Sequence, residues 1–154
     1  ELTIFRRRNI GFIFQNYNLV SMQNVYKNIV LPIRLDGNKP DKQYIEHICD
    51  VLGIDKKMDR YPNQLSGGQQ QRVAIARALA AKPAVLLADE PTGNLDSNTS
   101  AEVIGLLKMT GKEFHQTIVM ITHNEAIAQL ADRVIHLEDG KIIGDKDGEG
   151  GRER

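Results

Sequence analysis

An α/β fold built on a parallel sheet is what the order of segments predicts, and three runs of residues carry the prediction. Ala84–Ala88 and Thr117–Ile121 are each apolar at nearly every position, which suits strands covered on both faces. Asn9–Gln15 is a short apolar run with two aromatics and reads as a buried strand ending at Gln15. Helical patterns separate these runs, and strand–helix–strand–helix–strand is the order of a parallel α/β sheet.

Composition narrows the classes. The 154 residues allow one domain of ordinary size. Lys plus Arg number 20 and Asp plus Glu number 20, so the global positive charge of a nucleic-acid binder is missing and no nucleic acid is expected. Hydrophobic residues at 41% are enough to build a core, against disorder as the default. No apolar run approaches the roughly 18 residues of a membrane-spanning helix. Cys49 is the single cysteine, so an internal disulfide is impossible, which fits a reducing cytoplasm. No secretory signal opens the chain. It begins on Glu1 and closes on the charged, glycine-rich stretch Asp145–Arg154. These ends read as those of a piece of a longer protein, with 145–154 a tail lacking fixed structure.

Between the strands the elements follow in order. Asn16 to about Lys82 reads as a helical insertion. Its first helix, Asn24–Arg34, has Val25, Ile29 and Ile33 four apart, with Pro32 disturbing its end. After the turn cluster Asp36–Pro40, Asp41 is the N-cap of a helix reaching Leu52 and stopped by Gly53. A third helix, Gln69–Ala81, is rich in Ala, Arg and Gln and is closed by Pro83. Beyond the Ala84–Ala88 strand, Ser97 to about Thr110 is helical, with Val103, Leu106 and Leu107 on one face. A short helix spans Asn124–Leu130. Arg133–Leu137 and Lys141–Ile143 are strands joined by the hairpin signal Asp139-Gly140.

Leu65-Ser-Gly-Gly-Gln69 stands immediately before the third helix. Adjacent glycines let backbone approach a ligand, and a helix start offers free N–H groups with partial positive charge. Ser66 adds a hydroxyl. The turn therefore reads as a phosphate-type anion site, or more plainly as a Ser N-cap after a glycine turn. Asp89 and Glu90 close the Ala84–Ala88 run at the edge where open α/β sheets bind ligands, and they also read as a solvated pair. Asp96 reads equally as a helix N-cap, Gln15 as ordinary strand-end polarity, and a lone His123 as structural.

Taken together, Leu65-Ser-Gly-Gly-Gln69 and the Gln-Gln-Arg-Val-Ala-Ile-Ala-Arg77 behind it resemble the ATP-binding cassette (ABC) family and its signature motif. Val85-Leu-Leu-Ala-Asp89-Glu90 is similar to that family's Walker B strand, Pro91–Asp96 to its D-loop, Thr122-His123 to its switch-histidine loop and Phe14-Gln15 to its Q-loop. The five stand in the family's order over essentially residues 1–143. Asn9–Leu19, Val25–Pro32 and Tyr61–Ser66 resemble the branch that serves macrolide export, lipoprotein release and antimicrobial-peptide resistance, which favours export or extraction.

The resemblance implies a P-loop NTPase-type parallel core, residues 1–15 and 83–144, with a helical signature subdomain at about 16–82. It implies ATP and Mg²⁺ as ligands, and a head-to-tail dimer of two ATPase subunits that sandwiches ATP. Ser66, Gly67, Gly68 and Gln69 then act on the partner's nucleotide. Glu90 polarises the attacking water, Asp89 and Gln15 hold Mg²⁺, His123 contacts the γ-phosphate and Asp96 lies at the dimer seam. The stretch from about Asn16 to Arg34 is expected to touch a membrane permease, which places the protein at the cytoplasmic face of the cell membrane.

One departure stands out. The phosphate loop G-x-x-x-x-G-K-[ST] is absent from the 154 residues, and the resemblance places it, with the first strands, ahead of Glu1. Its feeding strand would lie between Thr117–Ile121 and Arg133–Leu137. The expectation is a gap in the sheet there, or a new pairing across it, and an inactive fragment. Competing readings are a non-transport ABC protein and a remnant that binds partners without hydrolysis.

Overall fold

The structure, a computed structural model, describes residues 1–147. It forms two compact units, Glu1–Ile121 and Thr122 onward. In the first, strands β1 (Ile10–Phe14), β2 (Val85–Asp89) and β3 (Thr117–Ile121) form a parallel sheet in the order β1-β2-β3. Its rows run Gly11–Leu86–Ile118 and Ile13–Ala88–Met120 on one face, and Phe12–Leu87–Val119 and Phe14–Asp89–Ile121 on the other. Around it stand α1 (Leu2–Asn9), α2 (Val25–Leu35), α3 (Lys42–Val51), α4 (Gly67–Ala80) and α5 (Ser97–Glu113). The second unit holds α6 (Glu125–Ala128) and an antiparallel hairpin of β4 (Arg133–Glu138) and β5 (Lys141–Asp147).

Helix α4 is the centre of the first unit. Nine of its fourteen residues are buried, and it packs against β1, α2, α3 and α5. Alanine at positions 74, 76, 78 and 80 lets those neighbours come close. Gly11 serves the same purpose from the sheet. A Cβ there would stand 2.6 Å from Leu86 Cδ2 and 2.8 Å from the Ala78 carbonyl oxygen. Helix α2 starts on Asn24, whose side chain accepts from the Lys27 amide, and continues through Pro32 to Leu35. Asn28 is buried yet satisfied. Its Oδ1 accepts from the Val20 amide at 2.7 Å, and its Nδ2 donates to the carbonyls of Val20, Gln23 and Asn24. That single amide fixes the loop leading into α2.

Three features differ from the sequence reading, and one decides between its alternatives. Helix α1 occupies residues that carried no prediction. The sheet is covered on one face instead of two: Ile13, Leu86 and Ala88 are buried, while Phe12 and Phe14 are 42% and 36% exposed and Val119 and Ile121 47% and 60%. A uniformly apolar strand registers hydrophobicity at every position but cannot say whether both faces have partners. Strand β3 pairs with β2 alone among the described residues and the hairpin forms its own sheet, so the new direct pairing, one of the two expected outcomes, is not formed among them. Lastly, the segment read as a flexible tail begins too early. Asp145–Asp147 belong to β5, and Asp145 accepts from the Arg133 guanidinium at 2.5 and 2.8 Å. Residues 148–154 of that segment lie outside the described residues. The Asp139-Gly140 turn was legible because both residues take positive φ, 48° and 73°, the requirement of a two-residue hairpin.

Candidate functional site

The parallel register sets the site. Phe14, Asp89 and Ile121 share one row at the carboxyl end of the sheet, with neighbouring strands spaced roughly 4.8 Å apart. Gln15 and Glu90 therefore leave adjacent strands side by side. Glu90 is held in a left-handed conformation, φ 45°, and its amide donates to the Ile121 carbonyl at 2.9 Å. A non-glycine residue there is uncommon, and such strain concentrates where a side chain must be aimed. Asp89 is exposed.

The loop from Pro91 to Asp96 folds back onto Gln15. The Gln15 side chain donates to Asn94 Oδ1 at 3.1 Å, and Asn94 Nδ2 donates to the Gln15 carbonyl at 3.2 Å and to Asn16 Oδ1 at 2.8 Å. Gly93 makes room, since a Cβ there would meet the Gln15 amide at 2.6 Å. The loop ends on Asp96, which caps α5. Its Oδ1 accepts from the Thr99 amide at 2.9 Å and its Oδ2 from the Thr99 hydroxyl at 2.8 Å. These bonds hold the carboxyl below its usual range, so Asp96 stays ionised.

Ser66 caps α4. Its Oγ accepts from the Gln69 amide at 3.2 Å while the Gln69 side chain accepts from the Ser66 amide at 3.0 Å, a reciprocal capping box. The plain N-cap reading of Ser66 is therefore correct, and it leaves the anion reading intact. Oγ is used as an acceptor, so its proton remains to donate. By helix geometry the amides of Gly67 and Gly68 have no acceptor within the helix. The glycine turn lies against the start of α5: a Cβ on Gly67 would meet Leu95 Cδ2 at 3.2 Å, and one on Gly68 would meet Thr99 Cγ2 at 2.5 Å.

Three residues of this corner lie inside quoted motifs but were given no role of their own: Asn94, and Gln71 and Arg77 on α4. The Arg77 guanidinium donates to the Tyr17 and Asn18 carbonyls at 2.7 and 2.6 Å, and both those residues have positive φ. Burial pushes the Arg77 pKa down and the Tyr17 phenol pKa up. No sequence motif marks such contacts, because each joins residues far apart in the chain.

Of the predicted residues, Gln15, Ser66, Gly67, Gly68, Gln69, Asp89, Glu90 and Asp96 all stand on the first unit. His123 belongs to the second, exposed beside Asn124, whose amide donates to Thr122 Oγ1 at 3.1 Å. Asp89 and the Gln15 amide oxygen offer hard oxygen donors at adjacent strand ends. Among the described residues no group of three or more His, Cys, Asp or Glu side chains could hold a metal ion by itself. That donor set fits Mg²⁺, which takes one or two carboxylates with substrate phosphates and water.

Paired carboxylates stand at the carboxyl edge of a parallel sheet, the edge where open α/β sheets bind ligands, and a glycine-led helix start offers free amides in the same unit. The ABC transporter family profile matches residues 2–93. The methionine import ATP-binding protein MetN of Cupriavidus metallidurans is 49% identical over 140 residues, covering 89% of this chain and 41% of that protein. The macrolide export ATP-binding/permease protein MacB of Rhodopirellula baltica is 43% identical over 149 residues, 94% of this chain and 22% of the relative. A dimeric, post-hydrolysis structure of the ATP-binding cassette MJ0796 with ADP and Pi superposes with TM-score 0.77 at 38% identity, over 95% of this chain and 66% of that one. The cbiO1 subunit from Clostridium perfringens superposes with TM-score 0.84 at 31% identity, over 95% and 60%. The chain belongs to the ABC transporter ATP-binding family. It spans about two fifths of the length of the methionine-import relative.

Proposed function

We propose that the chain supplies the carboxylate loop, the Q-loop and the signature helix of an ATPase that drives a membrane transporter. The observation that carries this reading is the placing of Gln15 and Glu90 on adjacent strand ends, in one unit with a capped glycine turn at the head of α4. Phosphoryl transfer to water asks for positioning and neutralised charge more than covalent chemistry. Glu90 accepts the proton of the attacking water. His123 donates toward the γ-phosphate. Asp89 and Gln15 would hold Mg²⁺, which would neutralise charge on the phosphate oxygens. Two chains meet head to tail around ATP, so that Ser66 Oγ and the amides of Gly67 and Gly68 reach the partner's γ-phosphate, with Gln69 fixing the turn and Asp96 at the seam.

Residues 16–82 form the helical subdomain, and 1–15 with 83–144 the catalytic core. The segment from Asn16 to Arg34, fixed by Asn28 and Arg77, faces the permease at the cytoplasmic side of the membrane. Steady-state phosphate release by the transporter assembly containing this chain tests the reading, and lack of Mg-ATP turnover there sinks it. Weak or no Mg-ATP binding is expected of the 154 residues alone, and calorimetric titration measures it; micromolar affinity would reveal a nucleotide cradle outside the motifs described.

A further inference from the structure

The side chain of Gln71 joins three segments that the motifs treat separately. It projects from the second turn of α4 and is fully buried. Its Nε2 donates to the Phe14 carbonyl at 3.1 Å, at the end of β1 just before Gln15, and to the Pro91 carbonyl just after Glu90. Its Oε1 is buried with no hydrogen-bond partner among the described residues. The other buried side chains of α4 are Val, Ile, Leu and Ala, so an apolar residue would suit packing at this position. A buried amide with one unmet acceptor is a poor choice for stability. Its geometry instead serves register: one NH₂ group ties the backbone before Gln15 to the backbone after Glu90. The Gln15–Asn94 amide pair repeats the tie on the exposed side.

We infer that Gln71 is a positioning residue, which locks the Q-loop and the carboxylate loop into one body and links both to the helix that Ser66 caps. The inference rests on the ATPase reading above for its kinetic consequence, while the structural link stands by itself. Because α4 carries both the bridge and the signature turn, a shift of that helix moves Gln15 and the backbone after Glu90 together.

Gln71→Met keeps the volume and removes the donor. Hydrogen exchange on the full chain reads the link directly. Amides of Gln15–Asn18 and of Thr92–Asp96 should both exchange faster, by about tenfold, while α3 stays unchanged. In the transporter assembly kcat for ATP should fall about tenfold or more, with KM for ATP within about twofold and the melting temperature nearly constant. Asn94→Ala, on the surface, should speed exchange in the same two segments by a smaller factor, and it carries the test if Gln71→Met does not fold. Acceleration confined to one segment, or absent from both, overturns the link. An unchanged kcat, or kcat and melting temperature falling together, makes Gln71 a packing residue and overturns its positioning role. If the unsubstituted assembly shows no turnover, the ATPase reading fails and the exchange result still decides the link.

Discussion

The carboxylate loop after β2 and the glycine-led start of α4, the two regions proposed to meet phosphate, differ in charge and are built by opposite means. The first is aimed by the sheet: Glu90 takes a strained backbone conformation and is tied to the end of β3. The second is aimed by a helix, whose capping box leaves two glycine amides and a hydroxyl proton available. A second helix start, at Asp96, has the same geometry with a different charge. Its cap has the same hydrogen bond from the third residue, but the capping group is an ionised carboxylate that repels phosphate. The charge of the capping residue decides which helix start can serve a nucleotide.

The largest expected effect tests the first of these regions. Glu90→Gln keeps shape and removes the general base, so turnover of the assembly should fall about 10²- to 10⁴-fold. Nucleotide binding should persist and an ATP-bound dimer accumulate. Sizing by gel filtration with and without Mg-ATP checks this, and a mutant that stays monomeric in both conditions sinks the sandwich arrangement.

The second region should fail differently. Ser66→Arg blocks the glycine turn with a bulky side chain, and loss of a phosphate-directed donor costs about 10²-fold in turnover. In the proposed head-to-tail dimer that turn serves the opposite subunit's nucleotide, so ATP affinity of a monomeric preparation should be unchanged. A loss of monomer affinity would put Ser66 in its own subunit's site and erase the contrast between the two regions.

That contrast was largely legible in the sequence, because its parts are local. Ser66 with Gln69 spans four consecutive residues, Asp89-Glu90 closes an apolar strand, and Asp139-Gly140 fixes its turn. What escaped reading was non-local. Gln71 reaches Phe14 across 57 positions and Arg77 reaches Tyr17 across 60, and no periodicity announces either. The half-open sheet escaped for another reason: an apolar side chain is written the same way whether or not something covers it.

A smaller effect links the two helix starts. Gly68→Ala should gain about 1 kcal/mol from helix propensity, but the new Cβ would stand 2.5 Å from Thr99 Cγ2. Thr99 cannot turn away freely, since its hydroxyl is bonded to Asp96. Overpacking of this kind costs about 1–3 kcal/mol, so the net change should be a modest loss in urea unfolding. Thr99→Ser removes the offending methyl and keeps the hydroxyl. In that background Gly68→Ala should be neutral or stabilising; a loss of the same size there would show that the methyl contact is not its cause.

The smallest effect concerns acid. Hydrogen bonds from the Thr99 amide and hydroxyl depress the Asp96 pKa in the folded chain, so the unfolded state binds its proton first as pH falls. The stabilisation is therefore complete above the ordinary carboxylate value and is lost as pH drops through the depressed folded value. Asp96→Asn keeps an N-capping side chain but has no charge to titrate. At neutral pH the two chains should melt within a few degrees of each other, with Asp96 the more stable. Between about pH 5 and pH 2 the wild-type advantage should shrink, because only the wild type has that carboxylate to protonate. Thermal melts at matched ionic strength across that range measure the difference. A gap that stays constant down to pH 2 would mean that Asp96 stabilises α5 as a neutral cap would, and that its charge matters only at the seam between subunits.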